Sequence, residues 1–320
     1  MQKRTVLNGH ISRNYITHWS PGISPVLHVS DGETFAVDIP DSSTDQVRPD
    51  SKVSALRRMD RSKTDAAVGP FYVEDAMPGD TLRVDIAGIE CARWGWSAIF
   101  PGFGLLSDEF NRFRLFQWSI SGGYARPKKS AFLSGLRLPV HPFPGVIGVL
   151  PLEESDEYGM IPPQYFGGNM DNNRIGVGSS VYFRVNVKGA GLCIADTHAA
   201  QGDGEVCGTA IETPSKTTLR VRLFRDGVDT RAPAVVYRER SRSRNCLSLS
   251  GIAPDLHTAA KKAVRSMVDL LNRNGLGREE SYLLCSVAAD LRISEIVDSP
   301  NWNVGISVDT AVLRQLGVSI

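Results

Sequence analysis

Asp196, His198, Gln201, Asp203 and Glu205 make up the densest run of reactive side chains in the sequence. Side chains two apart on an extended strand share a face, so Asp196 and His198 project together. Asp203 and Glu205 do the same across a Gly202-Asp203-Gly204 turn, and the apolar runs Leu192 to Asp196 and Val206 to Ile211 flank the segment as a predicted hairpin. Four ionisable groups this close repel and desolvate one another unless a cation, a proton or water compensates them. A divalent metal is the economical compensator. Imidazole with carboxylates is a ligand set for zinc or manganese, and an open coordination position acidifies bound water. The competing reading is a solvated polar hairpin.

Two loop apices can add to such a site. Gly167-Gly168-Asn169-Met170-Asp171-Asn172 follows a Pro162-Pro163 break; its glycines admit a ligand close to backbone amides, and Asp171 offers another carboxylate. His141 precedes Pro142-Phe143-Pro144-Gly145 and a strand from Val146, a position that suits a structural histidine at least as well as a functional one. Cys193 and Cys207 flank the acidic segment, so a thiolate activated by His198 is an alternative nucleophile, against the plainer expectation of buried apolar thiols. Gly178-Ser179-Ser180 has only a superficial likeness to a Ser-Ser-Lys amidase pair, because no partnering upstream Lys is recognisable. Arg238 to Arg244 reads RERSRSR, but it is short, contains Glu239 and lacks aromatics to stack on bases, which favours a solvated loop. Trp94, Trp96, Phe100 and Phe103 read as core or subunit interface ahead of a substrate wall.

These residues must be positioned by short strands. Glycine (30) and proline (18) cut the first 250 residues into brief segments. His28 to Ile39 predicts two strands around Asp31-Gly32, and Thr81 to Ile86 alternates Leu82, Val84 and Ile86 inward against Arg83 and Asp85. Val146 to Leu150, Val181 to Val187 and Leu219 to Leu223 continue the pattern. After Pro254, Ala259, Ala263, Met267 and Leu270 recur at helical spacing with Gly275 as a stop. A second helix is predicted from Arg278 to about Ala289, then strands near Arg292 to Val297 and Val304 to Val308. The fold class is mainly β: a sandwich- or barrel-like body over 1–250 carrying the site, and an α+β tail over 251–320 packed on it.

Composition narrows the function classes. With 42% hydrophobic and 22% charged residues over 320 positions, the chain can bury a substantial core, and disorder, collagen and coiled coil are excluded. Lys plus Arg (36) against Asp plus Glu (35) leaves +1, no global field for nucleic acid or an acidic membrane. Five scattered cysteines without a CxxC predict reduced thiols. Met1-Gln2-Lys3-Arg4 leads into polar residues rather than a signal-peptide core, and no apolar run is long enough to span a bilayer, so the expected compartment is the cytoplasm.

The stretch from Ala195 to Glu212, ADTHAAQGDGEVCGTAIE, closely resembles the signature of the acetamidase/formamidase family. Agreement extends to Gly69 through Asp80, PGFG at Pro101 to Gly104, HPFPGVIGVLP at His141 to Pro151, PPQYFGGNMD at Pro162 to Asp171, and the tail through Val297. Asp75, Ala195 and Thr197 stand where the family usually has glycine. The resemblance implies a homo-oligomeric, mainly β hydrolase that cleaves short aliphatic amides to acid and ammonia at a metal-associated site. On that reading His198, Asp196 and Asp171 hold a divalent cation, zinc being the choice, and Glu205 is general acid/base with His198 and Asp203 in the catalytic group. Gln201, Asn169, Gly167, Gly168 and His141 are the expected substrate-binding residues, with His141 and Asp203 open between orienting and ligating roles. A cysteine-nucleophile amidase and an inactive relative that binds a small amide or metal are the alternatives.

Overall fold

The computed structural model describes residues 6–128, 135–152, 158–225, 231–239 and 241–318. Arg240 of the basic segment and Met1 to Arg4 lie outside the described residues. The chain is mainly strand, as expected, with its longest helices near the C-terminus. The described strands form sheets of nine, six and four members.

Two of the sheets enclose the principal core. Phe35, Leu82, Val84, Ile86, Val181 and Val221 from the nine-stranded sheet pack with Val68, Phe71, Val146, Ile147, Leu192 and Ile194 from the six-stranded one. The alternation read in Thr81 to Ile86 is present, in a strand that continues from Thr81 to Cys91. Leu27–Val29 and Thr34–Ile39 are separate strands around Asp31-Gly32, but they pair in different sheets, the first with Ala67–Val73 and the second with Ser215–Phe224. The four-stranded sheet, from Trp94–Ile99 to Leu138–Pro139, carries a smaller core around Trp96.

The tail extends the large sheet. Arg244–Ala253 pairs with Trp302–Asp309, which pairs with the edge strand Ala289–Glu295. The boundary at residue 250 therefore falls inside a strand, and the sheet runs through it. Along Arg244–Ala253, Cys246 faces the sandwich core while Leu247 and Leu249 face the other way. The helix Leu256–Arg273 covers that second face with Ala263, Met267 and Leu270, and Asp255 caps it by accepting a bond from Thr258 N–H. A side chain at Gly251 would place Cβ 2.1 Å from the carbonyl of Ala259, so helix and sheet meet this closely only over glycine. The second helix spans Arg278–Ala288. No helix among the described residues is long and apolar enough to cross a membrane.

Candidate active site

The strand Ala190–His198 is buried along its whole length between Ala67–Val73 and Phe143–Gly148. Its last residues carry the chemistry. His198 Nε2 lies 2.8 Å from Asp196 Oδ2 and 3.2 Å from Glu212 Oε2; Nδ1 donates to Gln201 Oε1 at 2.7 Å and lies 3.6 Å from Asp171 Oδ1. Gln201 Nε2 in turn donates to the carbonyl of Asp171 at 2.8 Å. The arrangement depends on a missing side chain on the neighbouring strand. Pro144 pairs with Thr197 and Val146 with Ala195, which sets Gly145 opposite Asp196. A Cβ there would lie 2.6 Å from Asp171 Oδ1, 2.7 Å from Asp196 Oδ2 and 2.8 Å from His198 Cε1.

Further acids surround these residues. Asp171, His198 and Glu205 form one group able to hold a metal ion, and Asp196, His198 and Glu212 form another. Asp65 and Asp298 line the same cavity, buried. Burial pushes Asp171 up to about 6 and Asp196 up to about 7, against the opposing pull of His198. Burial likewise raises Glu205, Asp65 and Asp298 well above the ordinary carboxylate range, and neighbouring carboxylates add to each shift. Burial alone would lower His198, but the charges of Asp196 and Glu212 and the bond to Asp196 outweigh it and raise the imidazole well above its usual value. Both Oδ atoms of Asp171, Oδ1 of Asp196 and Oε2 of Glu212 are buried without a hydrogen-bond partner. Buried carboxylate oxygens are costly to leave unpaired, and a divalent cation satisfies several at once while displacing protons. The residues present fit such an ion.

The predicted residues separate into two sets. Asp196, His198, Gln201, Glu205 and Asp171 come together, and Asn169 reaches the same cavity, donating from Nδ2 to Asp298 Oδ2 at 2.9 Å. Asp203 does not join them. It accepts from Arg174 Nη2 at 2.9 Å and from Asn173 Nδ2 at 3.1 Å, and although burial would raise its carboxyl, the Arg174 bonds hold it below the usual range. His141 is exposed beside a second cavity behind Gln201. Gly167 and Gly168 sit outside the wall of the first cavity; a Cβ on Gly167 would come 2.4 Å from the carbonyl of Ile147, so its role is close strand packing.

The predicted hairpin is replaced by a loop. Residues 199–214 contain no strand, and Val206 is exposed. Gly204 N–H instead donates to Ser294 O at 2.9 Å, and Ile296 N–H donates to Gly204 O, tying the loop to the tail while Glu205 turns inward. The loop returns so that Glu212 bridges both His198 and Trp96, which is why Glu212 escaped a reading based on strand parity. Asp65 and Asp298 escaped it because they are remote in sequence; the only local signal at Asp65 is an acid among the apolar residues that follow it. Ala195 belongs to the apolar core and Thr197 Oγ1 bonds Ser215 Oγ, so both side chains point away from the cluster. Cys193 is buried and its thiol raised by desolvation, while Cys207 Sγ lies near the carbonyls of Thr209 and Ala98.

The cluster opens into a cavity of about 890 Å3. Trp96, Phe100 and Phe103 line it, so aromatic residues expected in a core or interface also form a wall.

The model of the acetamidase/formamidase family matches residues 8–158 and 155–315. A formamidase of Methylophilus methylotrophus is 26% identical over 92% of this chain and 88% of its own. A crystal structure of a predicted acetamidase/formamidase from Thermoanaerobacter tengcongensis superposes with a TM-score of 0.89 at 30% identity, covering 99% of each chain. An acetamidase from Bacillus halodurans gives a TM-score of 0.87 at 30% identity over 98% of this chain and 100% of that one. Agreement in sequence and fold over both halves of the molecule makes this chain a member of the acetamidase/formamidase family.

Proposed function

We propose that the chain hydrolyses the C–N bond of short linear amides, of the formamide and acetamide class, to carboxylate and ammonia. The observation that carries this reading is the buried His198 cluster with its unpartnered carboxylate oxygens at an open cavity, in a chain matched along its length to amidases.

His198 and Asp196, with Glu212, would hold a divalent cation, zinc for preference, which would supply carbonyl polarisation and acidified water, and Asp171 stands with His198 and Glu205 in the adjoining group. Gln201 fixes the imidazole by accepting from Nδ1, leaving Nε2 toward Asp196 and Glu212. Glu205 is the general acid/base. It takes a proton from the attacking water as oxygen bonds to the carbonyl carbon, then gives a proton to nitrogen as the C–N bond breaks and ammonia leaves. Burial, with the charge of Asp171 added, raises its pKa above the ordinary carboxylate range, which favours its part as proton donor. Asn169 orients the amide. Asp203, through Arg174 and Asn173, positions the loop that carries Glu205. Free thiols at all five cysteines suit the cytoplasm. Tyr282, Leu283, Val287 and Leu291 on the last long helix and the edge strand expose an apolar patch that fits a homo-oligomer.

The test is ammonia release from formamide and acetamide by the wild type and by His198→Ala, with bound metal assayed in both. Wild-type turnover lost with the metal in His198→Ala is expected. A fully active, metal-replete variant would sink the assignment, and amide binding without ammonia would establish an inactive relative instead.

A further inference from the structure

Behind Gln201 lies the second cavity, of about 610 Å3, which shares no lining residue with the one above His198. Its charge is one-sided. Arg174, Arg238 and Arg292 stand in its wall, with Glu239 the one acid among the lining residues. Both oxygens of Glu239 are engaged: Oε1 accepts from Arg292 Nη2 at 2.9 Å and Oε2 from Arg244 Nε at 2.6 Å. Asp203, next to the wall, accepts from Arg174 Nη2 at 2.9 Å and lies 3.8 Å from Arg292 Nη1. Arg242 and Arg244 both reach Asp290. In the wall and these ion pairs, five guanidiniums meet three carboxylates, so positive charge is in excess.

Two donors in the wall lack an acceptor. Arg292 Nε and Ser179 Oγ are buried without a hydrogen-bond partner, and Ser179 is 4% exposed. A guanidinium nitrogen only donates and a hydroxyl can, so the missing partner is an acceptor, and the surplus charge asks for a negative one. The planar fork of a guanidinium matches a carboxylate in shape as well as sign.

The cavity reaches the catalytic histidine through one residue. Gln201 lines it and holds His198 Nδ1, while Asn173 Nδ2 donates to Gln201 O and to Asp203 Oδ1, both at 3.1 Å. An anion in the cavity competes with Asp203 for Arg174 and Arg292, and so slackens the loop that carries Gln201 and Glu205. Occupancy here and geometry at His198 are thereby linked.

We propose that this second cavity binds a small carboxylate on Arg292, Arg238 and Ser179, and that the acid product of hydrolysis slows turnover from there. The identity of the acid as product rests on the amide-hydrolase reading; the site itself does not.

The experiment is calorimetric titration of acetate into the metal-replete wild type, His198→Ala, Arg292→Gln and Arg238→Gln. Beside it, ammonia release from acetamide is measured with and without added acetate, each protein against its own rate. Saturable binding is expected in the wild type and in His198→Ala, where the catalytic cluster is broken. Arg292→Gln should weaken it about tenfold or more, the loss of a charge-assisted bond, and Arg238→Gln about threefold. Acetate should lower kcat in the wild type and only raise KM in Arg292→Gln. Equal binding by wild type and folded Arg292→Gln, or loss of binding in His198→Ala, overturns the site. Should Arg292→Gln not fold, the exposed Arg238→Gln decides in its place. Inorganic phosphate bound as tightly, with the same dependence on Arg292, overturns the carboxylate assignment. Acetate bound at Arg292 with purely competitive inhibition overturns the control of turnover. No ammonia from acetamide overturns the hydrolase reading and with it the product role, while the titrations still decide the site.

Discussion

Replacing Gly145 by Ala adds one methyl group at the point where three site residues converge. The added Cβ would lie 2.6 to 2.8 Å from Asp171 Oδ1, Asp196 Oδ2 and His198 Cε1. Ordinary contacts begin near 3.4 Å, so each neighbour must retreat by about 0.7 Å (3.4 less 2.7). None can do so freely. The imidazole is fixed by Gln201, Asp171 N–H donates to Gly145 O at 3.2 Å, and all three side chains are buried. Overpacking of this kind costs about 1–3 kcal/mol of stability. Misplacing reacting groups by about 1 Å costs on the order of 100-fold in rate. Gly145→Ala should therefore fold with a modestly lower Tm, lose most of its bound metal, and lose roughly two orders of magnitude in kcat/KM for acetamide. Gly88→Ala is the control, because its Cβ meets nothing closer than 3.9 Å. The measurements are steady-state ammonia release, metal content by mass spectrometry and thermal unfolding. A Gly145→Ala protein with wild-type metal content and kcat/KM would refute the placement of the site.

Chelation of the metal-replete enzyme at pH 7.5 should lower both Tm and activity, with both restored by one divalent ion, because the partnerless oxygens of Asp171, Asp196 and Glu212 lose their counter-charge; unchanged Tm and rate after verified metal loss would contradict it. Burial raises Asp41 to about 6 from 3.8, so the folded state binds the extra proton and the stability that goes with it is lost as pH rises from about 4 to about 6. Asp41→Asn does not titrate, so its Tm relative to the wild type should rise across that window, by the equivalent of about 3 kcal/mol at most; a flat or falling difference would refute the shift. Thiol alkylation should label exposed Cys207 and leave amide turnover largely intact, since Cys193 is buried with a raised pKa. Inactivation that substrate prevents would move the chemistry to a thiol.

What the sequence conveyed about the fold was its periodicity. Leu82, Val84 and Ile86 alternate because one sheet face is core, and Ala259, Ala263 and Met267 repeat because one helix face covers the sheet. Pairing partners were not legible, since Leu27–Val29 and Thr34–Ile39 are adjacent in sequence yet join different sheets. In the site, strand parity brought Asp196 and His198 together as expected. Parity failed past His198, where the backbone leaves the ladder and Asp203 and Glu205 diverge, one to Arg174 and the other inward. Gly145 was visible only as one letter of the motif from His141 to Pro151, because an empty position shows its role only once its neighbours are known.

Asp65, Asp171, Asp196 and Glu205 share a backbone property, a positive φ between 42° and 56°. Left-handed geometry costs a non-glycine residue about 1 kcal/mol or more, with Asn and Asp the more tolerant. Each of these acids therefore opposes folding through its backbone as well as through its buried charge. Glycine at Asp171 or Asp196 relieves both at once, and asparagine relieves the buried charge. A library of variants ranked by heat resistance alone would consequently enrich for proteins that keep every sheet and have lost the catalytic cluster. Directed evolution of this scaffold toward thermostability has to screen turnover in the same round.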